Sequence, residues 1–211
     1  MQKPFGLPRT LEGVGVEMEP SEDVEWGRAR QGDGQAFGRI FDRHQDRVYR
    51  HALRMTADPH EAEDATAMAF LELWRRRADV RLVSGSVLAW MLVTTANVVR
   101  NAQRARRRYR DFLASLPREQ SAPDVAELAF GTLLSGGDRR MAAALRALPP
   151  IEAQMVSLVL LEDLALADAA EALGISPAAA KSRLHRARVR LRAALGGDHR
   201  VVAGTVEEAG R

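Results

Sequence analysis

The apolar positions of this chain recur at steps of three and four and show no clear alternating run, so the pattern predicts helices throughout and an all-α fold. Between residue 22 and about residue 112 two breaks interrupt the helical period. The first, Asp58-Pro59-His60-Glu61, offers an N-cap, a proline at the first helical position and a capping-box acid. The helix predicted after it puts Ala62, Ala65, Ala69, Phe70, Leu73 and Trp74 on one face. The second break lies around residues 83–86. It is followed by a predicted helix over 87–109 with an apolar stripe of Leu88, Leu92, Ala96 and Val99. The other side of that helix carries Trp90, Thr94, Asn97, Asn101, Arg104 and Arg108, a face suited to nucleic acid, since amides read base edges and guanidinium groups hold phosphates. For Trp90 the competing reading, packing against another helix, is the stronger one.

Nearer the C-terminus, Met155, Val156, Val159 and Leu160 mark one predicted helix, and Ala169, Ala170 and Leu173 a short second one. Gly174-Ile175-Ser176 follows as a tight turn, with Ser176 as N-cap and Pro177 as first residue of a last helix. Along that helix Ala180, Leu184, Ala187, Leu191 and Ala194 form a narrow apolar seam. Opposite lie Ala178, Ser182, His185 and Val189, flanked by Lys181, Arg186, Arg188 and Arg192. Two short helices, a glycine turn and an exposed basic helix read as a helix-turn-helix, because the major groove admits one helix anchored on one side and carrying donors on the other. The bland reading is an amphipathic helix with a solvated basic face. The complete absence of acid from 177–195 favours DNA.

These elements divide the chain into a flexible arm (1–21), a helical domain (22–112), a Pro- and Gly-containing linker (113–139) with a short helix possible over 126–134, a second helical domain (140–196) and a frayed tail (197–211). A length of 211 residues accommodates two small domains.

Charge sharpens the picture by its placement. The formal net charge is only +3, yet two blocks, 97–110 and 177–195, are rich in arginine and free of acid, as two separate contacts with a polyanion require. The chain has no cysteine, which excludes disulfide scaffolds, thiolate zinc sites and thiol nucleophiles. Its longest nearly uncharged apolar stretch, 87–99, is shorter than the roughly 20 residues a bilayer demands. No secretory pattern opens the chain, so a soluble, cytoplasmic protein without membrane contact is expected.

At this point the residues resemble the extracytoplasmic-function (ECF) group of bacterial sigma-70 family factors. In the first domain the likeness is carried by Ala36-Phe37, Phe41, His44, Val48-Tyr49, Ala62-Glu63-Asp64, Phe70, Trp74, Trp90 and Ala96-Asn97 with the arginines after it. In the second it is carried by Leu148-Pro149-Pro150, Asp168-Ala169-Ala170, Leu173-Gly174-Ile175-Ser176 and the run from Lys181 to Arg188. The resemblance implies a non-catalytic promoter-recognition subunit. Region 2 would bind the β′ clamp helices of core RNA polymerase and read the −10 element as single strand. Region 4 would sit on the β flap and place its last helix in the double-stranded −35 element. By the same resemblance Lys181, Ser182, His185 and Arg186 face the −35 bases and Arg183 a phosphate. Asn97 and Arg100, with Asn101, Arg104 and Arg108 on the same helix, face the −10 region. Glu63, Asp64 and Phe70 face the polymerase, and the loop 78–86 sits where the family holds a flipped-out base. Many members are held by an anti-sigma factor, which makes one a candidate partner. The chain departs from the family in having Ala178-Ala179-Ala180 where Gly-Thr-Val is usual, and Ala67-Met68 where glutamine is favoured.

Two other functional classes compete with this one. A helix-turn-helix regulator acting without the polymerase does not need the second basic face. An enzyme is disfavoured, since the glycines at 131 and 136 have P-loop spacing but Gly137-Asp138 replaces the Lys-Ser/Thr, and no nucleophile–base constellation is present. No catalytic residue, metal site or cofactor is therefore assigned; His60 beside Glu61, Glu63 and Asp64 lacks metal-ligand spacing.

Overall fold

A computed structural model describes residues 20–115 and 136–196. Most of the expected arm and linker, the helix expected over 126–134 and the tail lie outside the described residues. The described chain folds into helices α1 (Glu22–Arg30), α2 (Gly34–Thr56), α3 (Pro59–Arg75), α4 (Leu88–Ser115), α5 (Gly136–Ala147), α6 (Pro150–Val156), α7 (Leu166–Ala172) and α8 (Pro177–Leu195). Among these residues the sole β feature is an isolated antiparallel bridge between Val83 and Ser86. Both ends of the expected linker are helical, because α4 continues to Ser115 and α5 begins at Gly136.

Local chemistry explains the helix starts. Asp33 caps α2 by accepting from the backbone N–H groups of Gln35 and Ala36 at 2.9 and 3.1 Å. Asp58 caps α3 from the Glu61 N–H at 3.0 Å. The expected reciprocal half of that capping box is not made. The Asp58 N–H donates to Thr56 Oγ1 instead, at 3.3 Å, and the Glu61 carboxylate accepts from Arg106 of α4.

The first four helices enclose a core of Trp26, Ile40, Val48, Phe70, Leu73, Val87 and Met91, with Phe37, Phe41 and Trp90 packed on its margin. Ion pairs sit at its edge. The buried Glu25 carboxylate meets Arg39 at 2.6 Å and Arg43 at 3.3 Å. Glu22 meets His44 at 3.0 Å and accepts from the Val87 N–H at 2.8 Å. Burial pushes the Glu22 carboxyl up, but those bonds outweigh it and hold it below its ordinary value.

In the second half, α6 passes into a single π-helical turn, Ser157–Leu161. That turn rotates the face which the plain helical period predicted. Leu158 is buried beside Met155 and Val156, whereas Val159 and Leu160 are only partly covered. The seam of α8 is Ala180, Leu184, Ala187 and Leu191 as expected, but it closes on Leu195, while Ala194 points to solvent. Leu195 is the residue four positions past Leu191, so the step of four continues where a step of three was expected.

The two halves do not stand apart. Leu88 and Leu92 of α4 belong to the same buried cluster as Leu145, Leu148, Met155, Leu158 and the α8 seam. The linker is thus bypassed by a direct apolar interface.

Candidate nucleic-acid interface

The turn before α8 is built as the sequence suggests. Gly174 has φ +64°, a left-handed conformation that disfavours a side chain, and the Ile175 N–H returns to the Ala170 carbonyl at 3.0 Å. Ser176 then caps α8 by accepting from the Ala179 N–H at 3.2 Å. With the seam buried, Lys181, Ser182, His185 and Arg186 are exposed together on the outer face, and Arg183 is half-buried at its edge. This face is also held from within the protein. The buried carboxylate of Glu152, on α6, reaches Arg186 Nε at 3.4 Å and also pairs with Arg190. It holds two guanidinium groups of α8 from behind. No local pattern in the sequence marks Glu152 for this, since its partners lie more than thirty residues away.

The second basic surface lies on α4. Asn101, Arg104 and Arg108 are exposed, and Asn97 and Arg100 are half-buried. Arg100 donates to Asn97 Oδ1, and the Gln154 side-chain amide donates to the same oxygen at 3.0 Å. Burial, with the neighbouring Arg104 charge, lowers Arg100 from its ordinary value. A cleft of about 960 Å³ opens between α4 and the α5–α6 corner, with Arg100, Arg104, Arg106 and Arg107 along one wall and Arg146 on the other.

The loop between α3 and α4 is pinned at several points. Trp26 Nε1 donates to the Val80 carbonyl at 3.3 Å, Arg30 to the Ala78 carbonyl at 2.9 Å, and Arg77 lies over the Trp74 ring at 4.4 Å. Ser84 at its tip donates to Asp168 of α7 at 2.8 Å.

On α3 the expected polymerase-facing residues separate. Glu63 and Asp64 are exposed, whereas Phe70 is packed inward, its ring 4.6 Å from that of Phe41 and 6.5 Å from that of Phe37. Phe70 therefore presents little of its ring to this face, at 4% exposure. The residues beside it, Met68 and Leu71, are about half exposed and supply the apolar surface there. The helical period alone separates these positions, since Phe70 shares the phase of Leu73 and Met68 that of Asp64 and Leu71.

Comparison with known proteins identifies both halves of the chain. The family described as Sigma-70 region 2 matches residues 40–109, and the one described as Sigma-70, region 4 matches residues 138–191. An ECF RNA polymerase sigma factor SigK of Mycolicibacterium vanbaalenii is 30% identical over 173 residues, 79% of this chain and 85% of its own length. The ECF sigma factor SigL of Mycobacterium tuberculosis is 29% identical over 160 residues, 74% of this chain and 86% of its own. Among solved structures, CnrH in complex with the cytosolic domain of CnrY has a TM-score of 0.58 at 23% identity, over 85% of this chain and 100% of that one. RpoE from Bartonella quintana, in complex with the anti-sigma factor NepR, has a TM-score of 0.54 at 21% identity, over 77% of this chain and 98% of that one. These two establish likeness of fold.

Proposed function

Because the chain belongs to the sigma-70 family, in its ECF group, and is a promoter-recognition sigma factor, we propose that it carries no catalytic chemistry of its own and recognises a promoter by the following division of labour. α8 enters the major groove of the −35 element, with Lys181, Ser182, His185 and Arg186 toward base edges and Arg183 toward a phosphate. Asn97, Arg100, Asn101, Arg104 and Arg108 of α4 hold the −10 region, where the strands separate. The pinned loop 78–86 receives an unstacked base, which costs a few kcal/mol of lost stacking that a shaped site returns.

Core RNA polymerase is the partner that makes these contacts productive. The acids Glu63 and Asp64, with Met68 and Leu71 beside them, form the surface offered to the β′ clamp helices, and the second half sits on the β flap. An anti-sigma factor is the inhibitory partner of this reading, and the cytoplasm, where RNA polymerase works, is its site of action. Among the described residues no helix is long and apolar enough to cross a membrane.

One observation carries the proposal. Two acid-free basic helical faces lie on separate helices, α8 and the arginine-rich part of α4, and each helix buries its opposite, apolar face. The test is transcription reconstituted from the purified chain, bacterial core polymerase and GC-rich genomic DNA, with RNA 5′ ends mapped. Discrete starts that share upstream −35 and −10 sequences and vanish without the chain are expected. Specific duplex binding by the chain alone, with no starts, would move the function to a regulator independent of the polymerase.

A further inference from the structure

The two DNA-facing surfaces are closer together than their task allows. Asn97 is bonded to Gln154 and Arg186 to Glu152, so both surfaces touch the same short helix, α6, at positions two residues apart. Two residues of helix are about 3 Å along the axis. Elements named for positions −10 and −35 are about 25 base pairs apart, or roughly 85 Å along a duplex that rises about 3.4 Å per step. The arrangement described here therefore cannot be the one that spans a promoter. In it Asn97 is occupied by Gln154 and the tip of the loop 78–86 by Asp168. The chain between Ser115 and Gly136 could reach at most about 70 Å if drawn out, which permits the halves to separate widely.

Beside the apolar interface, one polar contact holds them together specifically. Glu162, which follows the π-helical turn, is 4% exposed. Its carboxylate meets Arg47 Nε at 3.0 Å, His51 Nδ1 at 3.1 Å and the Arg54 guanidinium. These three residues lie at steps of four and three on one face of α2. Arg47 also donates to the Glu162 carbonyl. Every hydrogen bond described for the Glu162 side chain crosses from one half of the protein to the other, so the folding of its own half makes no visible use of it. A buried carboxylate with two guanidinium partners and an imidazole holds firmly when complete and is strongly unfavourable when a partner is lost. Such a contact makes closure close to all-or-none.

Resting on the sigma-factor reading, we propose that Glu162 is a releasable latch: seated among Arg47, His51 and Arg54, it holds the two promoter-reading halves shut, and its release sets the fraction of the chain able to engage a promoter. Closure lowers apparent affinity by the fraction of molecules that are open, so loosening the latch raises affinity without adding any contact to DNA.

The test compares the full chain with Glu162→Gln, Glu162→Ala and, from the α2 side, Arg47→Gln. Helix content by circular dichroism establishes that each variant is folded, and the Arg47 variant carries the test should the Glu162 variants fail to fold. X-ray scattering of the free protein reads opening, and the concentration needed for half-maximal promoter complex with core polymerase reads competence. Unchanged helix content, a larger radius of gyration and a fall of roughly tenfold or more in that concentration are expected. Folded variants with the wild-type radius, or expanded variants that need as much protein as wild type, would overturn the latch while leaving the sigma reading intact. No promoter complex from any of the proteins would instead sink the reading on which the latch rests.

Discussion

Arg186 Nε lies 3.4 Å from the Glu152 carboxylate, and the Arg186 side chain is nonetheless about half exposed. One residue is thus anchored on the protein and open to solvent. Its Nε is engaged from behind, which leaves the outer edge of the fork exposed for the base contact proposed above. Anchoring of this kind removes rotamer freedom before binding and aims the guanidinium.

Arg186→Ala is expected to weaken binding to a −35 duplex by about 1–3 kcal/mol and to relax preference at one base pair. Fluorescence anisotropy on a set of −35 variants measures both. A loss of equal size on every variant would reassign Arg186 to a phosphate.

Glu152→Gln keeps the volume but removes the charge that holds Arg186 and Arg190. It is expected to reduce discrimination among −35 sequences more than total affinity, since one fewer negative charge near the duplex offsets part of the lost aim. Affinity and discrimination falling in parallel would argue that Glu152 only supports the fold.

Replacing Arg104, Arg106 and Arg108 together is expected to weaken all promoters alike and to flatten the salt dependence, by about 0.7–0.9 in slope for each phosphate contact removed. Because Arg106 is already paired with Glu61, the triple variant is expected to lose less than three full contacts. A loss confined to some promoters would mean that these side chains read bases.

Phe70 and its neighbours on α3 separate stability from binding. Phe70→Ala empties a position buried against Phe37 and Phe41 and is expected to cost about 3–5 kcal/mol in denaturant unfolding. Met68→Ala and Leu71→Ala are expected to leave stability within about 0.5 kcal/mol and to weaken capture of core polymerase. A polymerase defect in Phe70→Ala at full stability would place that ring at the interface after all.

The pH response follows from His51. Burial, with the charges of Arg54 and Arg47, pushes its imidazole down to about 3, against about 6.5 in an unfolded chain. The unfolded chain therefore takes up a proton that the folded one resists, and stability is expected to fall as pH drops from about 6.5 toward 3. His51→Gln should flatten that part of the melting-temperature profile. An unchanged profile would assign the acid response elsewhere, for instance to Glu22, whose lowered carboxyl contributes stability above its ordinary value and loses it as pH falls through the folded one.

Much of this protein is written locally. The caps at Asp58 and Ser176, the turn at Gly174 and the seam through Ala180, Leu184, Ala187 and Leu191 depend on residues within a few positions of one another. They are legible because backbone geometry and helical period act at that range. The outward face of α8 follows from the same period, and so does the arginine face of α4. Periodicity miscarried at the π-helical turn, where one wider turn shifts the phase, and at Ala194, where it picked the wrong step. What the tertiary structure alone decided is the engagement of those faces. Glu152 behind Arg186, Gln154 on Asn97 and Glu162 among Arg47, His51 and Arg54 join residues 34 to 115 positions apart. The choice among many distant carboxylates and guanidinium groups is made by which apolar surfaces pack, here Leu88 and Leu92 of α4 against the core of the second half. That packing brings the polar partners together and dries them, and only then does their pairing become strong enough to matter.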